Sequence, residues 1–148
     1  MDVLELSDIS KSYGKVTALK SVSLAVPEGA VFGILGPNGS GKTTLLSIIL
    51  DVLTADGGTY KWFGLPGSNI QRRKIGSLLE TPNFYHYLSA VNNLKVTASI
   101  SGRGNTAAIE KALQTVNLYD RRNSRFSTFS LGMKQRLAIA AALLDEPR

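Results

Sequence analysis

Nine consecutive residues, Gly36, Pro37, Asn38, Gly39, Ser40, Gly41, Lys42, Thr43 and Thr44, carry the densest chemistry in the chain. They satisfy the spacing G-x-x-x-x-G-K-[ST] in full. Glycine tolerates positive φ, so such a run curls until successive backbone N–H groups converge on one centre, and that centre suits an anion. Lys42 adds a point charge for the terminal phosphates of a nucleotide, Thr43 a hydroxyl of the kind that binds magnesium, and Thr44 a further donor. The pattern predicts a nucleoside triphosphate site with Mg2+. A glycine turn that merely caps a helix does not require the lysine or the hydroxyl.

A loop of this kind works only between a buried strand and a helix. "AVFGILG" (30–36) is a short apolar run bounded by glycine, consistent with a strand buried on both faces, and "KTTLLSIILDVL" (42–53) reads as a buried helix. Upstream, "VLELSDI" and "VTALKSVSLAV" alternate apolar and polar residues, which predicts an antiparallel pair, and "GGTYKWFG" and "KIGSLLE" read as further short strands. Beyond residue 85 the period changes to that of a helix. Leu88, Val91, Leu94 and Ala98 share one face, as do Ile109, Ala112, Leu113 and Val116, with "SGRGN" as a breaker between them. From Ser130 onward "SLGMKQRLAIAAALL" is rich in helix formers and opens on a residue able to cap an N-terminus. The expected class is α/β: a β-rich part with the phosphate loop over 1–80 and a helical part over 81–148, within one domain.

Composition narrows the setting. A chain of 148 residues with 43% hydrophobic and 19% charged residues is globular and large enough for one core. There is no cysteine, which excludes disulfides and thiolate metal sites. No apolar run approaches the ~20 residues needed to span a bilayer, and "MDVLELSDIS" has neither the basic start nor the apolar stretch of a signal peptide, so the chain reads as soluble and cytoplasmic. Seventeen basic against 11 acidic residues give +6, which suits nucleic acid, an acidic membrane surface or a phosphate ligand alike. The clusters "QRRK" and "RRNSR" are short and read as solvated faces.

The closing "LLDEPR" presents an acidic pair after an apolar run. A magnesium-site aspartate belongs at the end of a buried strand, which calls for β-branched residues before it. The residues before Asp145 are "RLAIAAALL", an alanine-rich run continuous with the helix from Ser130. Asp145 and Glu146 are therefore expected at a helix C-terminus, ended by Pro147, and not at a magnesium strand.

The stretches "ISKSYGKVTALKSVSLAVPEGAVFGILGPNGSGKTTLL", "GSLLETPNFY" and "FSLGMKQRLAIAAALL", in that order, resemble the ATP-binding subunit of ABC transporters over essentially the whole chain. "IGSLLETPNFY" with "SLGMKQRL" is most similar to subunits of peptide-antibiotic and lantibiotic exporters of the bacitracin-resistance type. The resemblance implies a P-loop NTPase fold of ABC type. Its parts are an N-terminal antiparallel β part, a phosphate-loop strand–helix core and a helical subdomain, with the central parallel sheet incomplete because the matching region stops before the acidic strand. It also implies that Tyr13 stacks on adenine, for which a flat amphipathic ring is suited. Ser130, Leu131, Gly132 and Met133 stand at the family signature, where Ser130 and the N–H groups around Gly132 face the γ-phosphate of ATP held by a second subunit. Glu80 stands where the family has a glutamine that contacts magnesium and the attacking water; a carboxylate still binds magnesium but changes the charge of the site. Phe84, Tyr85 and Tyr87 belong either to the core or to a groove receiving a helix of a transmembrane permease, and His86 is a surface or packing residue.

ATP and Mg2+ are the implied ligands, and a second ATP-binding subunit and a permease the implied partners, with no nucleic acid expected. The parent protein would sit peripherally on the inner face of the cell membrane and couple ATP hydrolysis to export of antimicrobial peptides or other small substrates. This chain alone is expected to bind ATP and to turn it over poorly. The alternatives are a soluble ABC-type ATPase acting on DNA or ribosomes, or a non-catalytic nucleotide-binding fragment. The absence of an Asn-Lys-x-Asp motif speaks against a small GTPase.

Overall fold

The computed structural model of the chain describes residues 1–79, 83–144, 146 and 147. It divides into two compact units, Met1–Arg73 and Lys74–Arg148.

In the first unit, β1 (Asp2–Tyr13) and β2 (Val16–Pro27) form the expected antiparallel hairpin, turned at Gly14 with φ 58°. β3 (Gly57–Trp62) and β4 (Leu65–Pro66) extend the sheet in the order β2-β1-β3-β4. Leu4 and Leu6 point inward by strict alternation, whereas Ile9, three residues on, would face outward in a regular strand. A bulge resolves this: Asp8 adopts φ 54°, the register shifts between Leu6 and Ile9, and all three side chains reach one core. Helix α1 (Lys42–Ile49) closes that core with Leu45, Ile48 and Ile49, the i, i+3, i+4 stripe of a helix buried on one side. The Trp62 indole Nε1 donates to the Ile49 carbonyl at 2.8 Å and fastens the helix end to β3. Helix α1 is shorter than the apolar run suggests, because Asp51 turns left-handed (φ 59°) and the N–H groups of Val52 and Leu53 fold back onto the Ser47 carbonyl.

Two expected strands are absent. Ala30–Gly36 forms no strand; Ala30, Phe32 and Ile34 line an apolar cavity of about 280 Å³ against the sheet and α1 while remaining partly open to solvent, and Val31 and Leu35 are almost fully exposed. A strand buried on both faces needs a ladder neighbour, and among the described residues none pairs with this segment. Residues 74–79 of "KIGSLLE" also form no strand. They pack as coil, with Gly76 so close to the Ala142 carbonyl that a Cβ would collide with it. The short helix α2 (Asn69–Arg72) precedes them.

The second unit is helical. α3 (Ala90–Ser101) is capped by Ser89, which accepts from the Asn92 N–H at 3.2 Å, so it begins two residues after Leu88. α4 (Thr106–Thr115) is capped by Asn105 at 2.9 Å, and α5 (Leu131–Leu143) by Ser130 at 3.2 Å. Leu94, Leu113, Leu118 and Leu137 are fully buried between them, joined by Phe126 and Phe129.

Candidate functional site

The phosphate loop lies in the first unit, between the extended segment 30–36 and α1. Gly39 and Gly41 take φ 82° and 90°, the left-handed conformation that favours glycine. Gly36 is constrained differently, since a Cβ there would lie 2.6 Å from Ser40 Oγ. Gly41 is the most confined, because a Cβ would run into the Ala18 carbonyl oxygen and approach the Leu19 Cδ2 methyl to 2.9 Å. The loop is therefore pressed onto β2 at the point where the helix starts.

The Lys42 ammonium folds back over this loop and donates to the carbonyls of Gly36 and Pro37, both at 2.7 Å, and to Ser40 Oγ at 3.3 Å. All three acceptors are uncharged oxygens, and together they fix the position of the ammonium. Gly41 caps α1 without a side-chain hydrogen bond and no acidic residue lies in the first turn, so the amide donors and positive end of the dipole are left for an anion. Thr43 is exposed and Thr44 half-buried at this end. The cradle fits a polyphosphate: glycine at 36 and 41 where a Cβ would collide and at 39 where the backbone is left-handed, one fixed cation, uncapped helix amides and two hydroxyls.

The other expected residues are distributed as follows. Tyr13 closes β1 opposite Val16, its ring half-exposed, with Lys11 Nζ 5.9 Å from the ring centroid. Glu80 lies outside the described residues, as does Asp145. Thr43 is the one described residue among the expected magnesium ligands, and no group of three carboxylate, histidine or cysteine side chains that could hold a metal occurs among the described residues. Ser130 caps α5 through its Oγ while Leu131 and Gly132 stand exposed and Met133 half-buried, so the first turn of α5 is open to solvent. "RLAIAAALL" is helical to Leu143, not a strand; Glu146 follows with φ 47° and its carboxylate pairs with Lys111, which holds its pKa below the ordinary value. Phe84 packs into the helical core against Phe126, Tyr85 and Tyr87 are exposed, and exposed His86 leans its ring edge on Phe126.

Sequence reasoning missed the buried Asn93. Its Oδ1 accepts from the Tyr85 N–H at 2.8 Å, and its Nδ2 donates to the carbonyls of Tyr85, Ser89 and Leu88 at 3.0, 3.1 and 3.4 Å. One side chain thus fixes the segment carrying the exposed aromatics. The only signal in the sequence is an amide on the apolar face of α3, beside Leu94.

Residues 19–148 match the model of the family described as ABC transporter. The chain belongs to the ABC transporter family. It is 41% identical to the bacitracin transport ATP-binding protein BcrA of Enterococcus faecalis over 98% of its own length and 48% of that protein. To the lantibiotic transport ATP-binding protein SrtF of Streptococcus pyogenes it is 37% identical, over 99% of its length and 63% of that protein. Among solved structures, a bacterial ABC transporter cassette determined as a dimer superposes with a TM-score of 0.81 at 29% identity, covering 97% of this chain and 70% of that one. The fold is therefore that of an ABC-type P-loop NTPase, and the chain spans about half the length of the first of these relatives. Both relatives are named for transport, which does not favour action on DNA or ribosomes. No helix among the described residues is long and apolar enough to cross a membrane.

Proposed function

We propose that this chain binds ATP with Mg2+ as part of the energising subunit of an ABC exporter, whose parent protein couples ATP hydrolysis to export of peptide antibiotics or other small substrates. The observation that carries the reading is the fixed Lys42 ammonium above a glycine loop that opens onto the uncapped start of α1. Gly36 to Gly41 wrap the phosphates, Lys42 faces the β and γ groups, Thr43 and Glu80 reach magnesium, Thr44 donates a further hydrogen bond, and Tyr13 stacks on the base. The names of the bacitracin and lantibiotic relatives support the substrate class. In this reading Ser130, Leu131, Gly132 and Met133 meet ATP on a second copy of the subunit, in line with the dimeric neighbour. The segment Phe84–Tyr87 receives a transmembrane permease, which holds the protein on the inner face of the membrane; nucleic acid has no role.

The test is calorimetric titration of ATP in the presence of magnesium into the chain and its Lys42→Ala variant. A hydrogen bond from a charged group is worth about 1.5–3 kcal/mol, so the variant is expected to bind roughly 10- to 100-fold more weakly with its fold intact. Equal affinity in the two proteins refutes the assignment of the loop.

A further inference from the structure

A stacking platform must be held in place before the base arrives, or the cost of ordering it is charged against binding. Tyr13 is the last residue of β1, next to the hairpin turn, with half its surface in solvent. Neighbours on its own strand and at the entry to β3 restrain it. Lys11 Nζ stands over the ring at 5.9 Å from its centroid, within cation–π range. That ammonium is itself held by Asp56 Oδ1 at 2.7 Å. The second carboxylate oxygen, Asp56 Oδ2, accepts from the N–H of Ser12, the residue before Tyr13, at 2.7 Å. Asp56 is fixed in turn through its own N–H, which donates to the Ser10 carbonyl at 2.9 Å. One residue at the entry to β3 therefore grips both the backbone leading into Tyr13 and the cation on its ring. The Lys11 hydrogen bond, followed by that from Ser12, holds the Asp56 carboxyl below its ordinary value, as expected for an ionised group at the centre of the arrangement.

We propose that Asp56 and Lys11 are a positioning pair that presents Tyr13 as the stacking platform for the adenine of bound ATP. The proposal rests on the ATP-binding reading above and adds residues that touch neither base nor phosphate. Lys11 covers one part of the ring surface and leaves the remainder to the base. The Asp56 end of the pair is open to solvent while the Lys11 side chain is largely covered, and an ion pair screened at one end contributes little to folding, so the effect of this pair falls on base affinity more than on stability.

The test compares two ligands, ATP and inorganic tripolyphosphate, titrated calorimetrically into the chain and into Tyr13→Ala, Asp56→Asn, Lys11→Met and Lys11→Arg. Loss of the platform in Tyr13→Ala is expected to weaken ATP about 5- to 100-fold, the range for one base on one aromatic ring, with tripolyphosphate unchanged. Asp56→Asn and Lys11→Met are expected to weaken ATP about three-fold, the scale of one partly exposed ion pair, again without change for tripolyphosphate. Lys11→Arg, which keeps both charge and ring contact, restores affinity. In a Tyr13→Ala background Asp56→Asn has no further effect. The proposal is overturned if Asp56→Asn weakens both ligands equally, which marks a merely structural role, or if it leaves ATP affinity intact while Tyr13→Ala reduces it. If Tyr13→Ala binds ATP like the parent chain, the adenine reading of Tyr13 fails and the proposal with it. A chain that binds neither ligand refutes the ATP-binding reading itself.

Discussion

Gly41→Ala is expected to be the most damaging small substitution in the phosphate loop, and the structure separates its cost into two parts. A φ of 90° disfavours any Cβ by about 1–2 kcal/mol. The added methyl also meets the Ala18 carbonyl oxygen, which is backbone and part of a strand, and the Leu19 side chain, which is buried in the core. Neither neighbour yields cheaply, and overpacking of this kind costs a further ~1–3 kcal/mol. Gly39 supplies the control. Its φ of 82° carries the same conformational cost, but a Cβ there meets nothing within 4 Å, so Gly39→Ala is expected to cost only about 1–2 kcal/mol. Trp62 is the only tryptophan, and its indole bonds to the last residue of α1, so its fluorescence reports directly on whether α1 stays docked. In urea, where small proteins lose roughly 1–3 kcal/mol per molar, Gly41→Ala is expected to unfold about 1 M or more below Gly39→Ala. Coincident midpoints for the two variants would refute the contact argument, and a Gly41→Ala midpoint equal to that of the parent chain would refute the strain argument as well.

Two further outcomes follow from side chains that hold backbone. Asn93→Leu removes four hydrogen bonds from the segment before α3 and leaves the Tyr85 N–H without its acceptor. A loss of about 2–4 kcal/mol and much faster hydrogen exchange at the Tyr85 amide are expected, and an exchange rate that does not change would contradict the clamp. The second concerns acid. Asp56 has its folded pKa below the ordinary 3.8, so its contribution to stability is present above that value and is lost as pH falls through the lower, folded one. Unfolding midpoints read from Trp62 are expected to decline below about pH 4 in the parent chain and to decline less in Asp56→Asn; parallel acid limbs would show that Asp56 is not linked to folding.

The parts of the fold that depend on one segment alone were legible in the sequence. Alternation gave β1 and β2, the glycine spacing pointed to positive φ at 36, 39 and 41, of which 39 and 41 adopt it, and Ser130 before an alanine-rich run placed the cap and body of α5, which is also why "RLAIAAALL" is not a strand. What failed depends on two segments at once. The run 30–36 carries the composition of a strand buried on both faces, but being a strand is a relation to a neighbour, and no described residue pairs with it. Ala30, Phe32 and Ile34 line the cavity against the sheet and α1 but stay solvent-accessible, and Val31 and Leu35 are more exposed still, so the burial that the composition asks for is unmet on both faces. "VLELSDI" reads as one alternating strand, whereas a bulge at Asp8 is needed to let Leu6 and Ile9 share a core. Asp56 reads as an ordinary turn residue of Asp-Gly-Gly, since nothing in the sequence reveals that its carboxylate meets residues 44 and 45 positions earlier.

The candidate site owes its geometry to the short hairpin. Tyr13 pairs with Val16 at the turn, and Ala18, two residues further along β2, offers the carbonyl against which Gly41 is pressed. Tyr13, the proposed base platform, and the start of the phosphate loop are therefore referred to the same strand, separated along it by about 7 Å, two residues at the strand rise of ~3.3 Å. Because the loop itself is exposed and makes few bonds beyond those of Lys42, its position must come from this contact and from the seating of α1 on Leu19 and the core. A change at either anchor moves one end of the site relative to the other without touching a ligand. Gly41→Ala shifts the phosphate end away from β2, whereas loss of Asp56 loosens the base end. The two are thus expected to have opposite signatures, the first weakening ATP and tripolyphosphate together and the second weakening ATP alone. An identical pattern for both variants would mean that the hairpin does not set the spacing between the two ends.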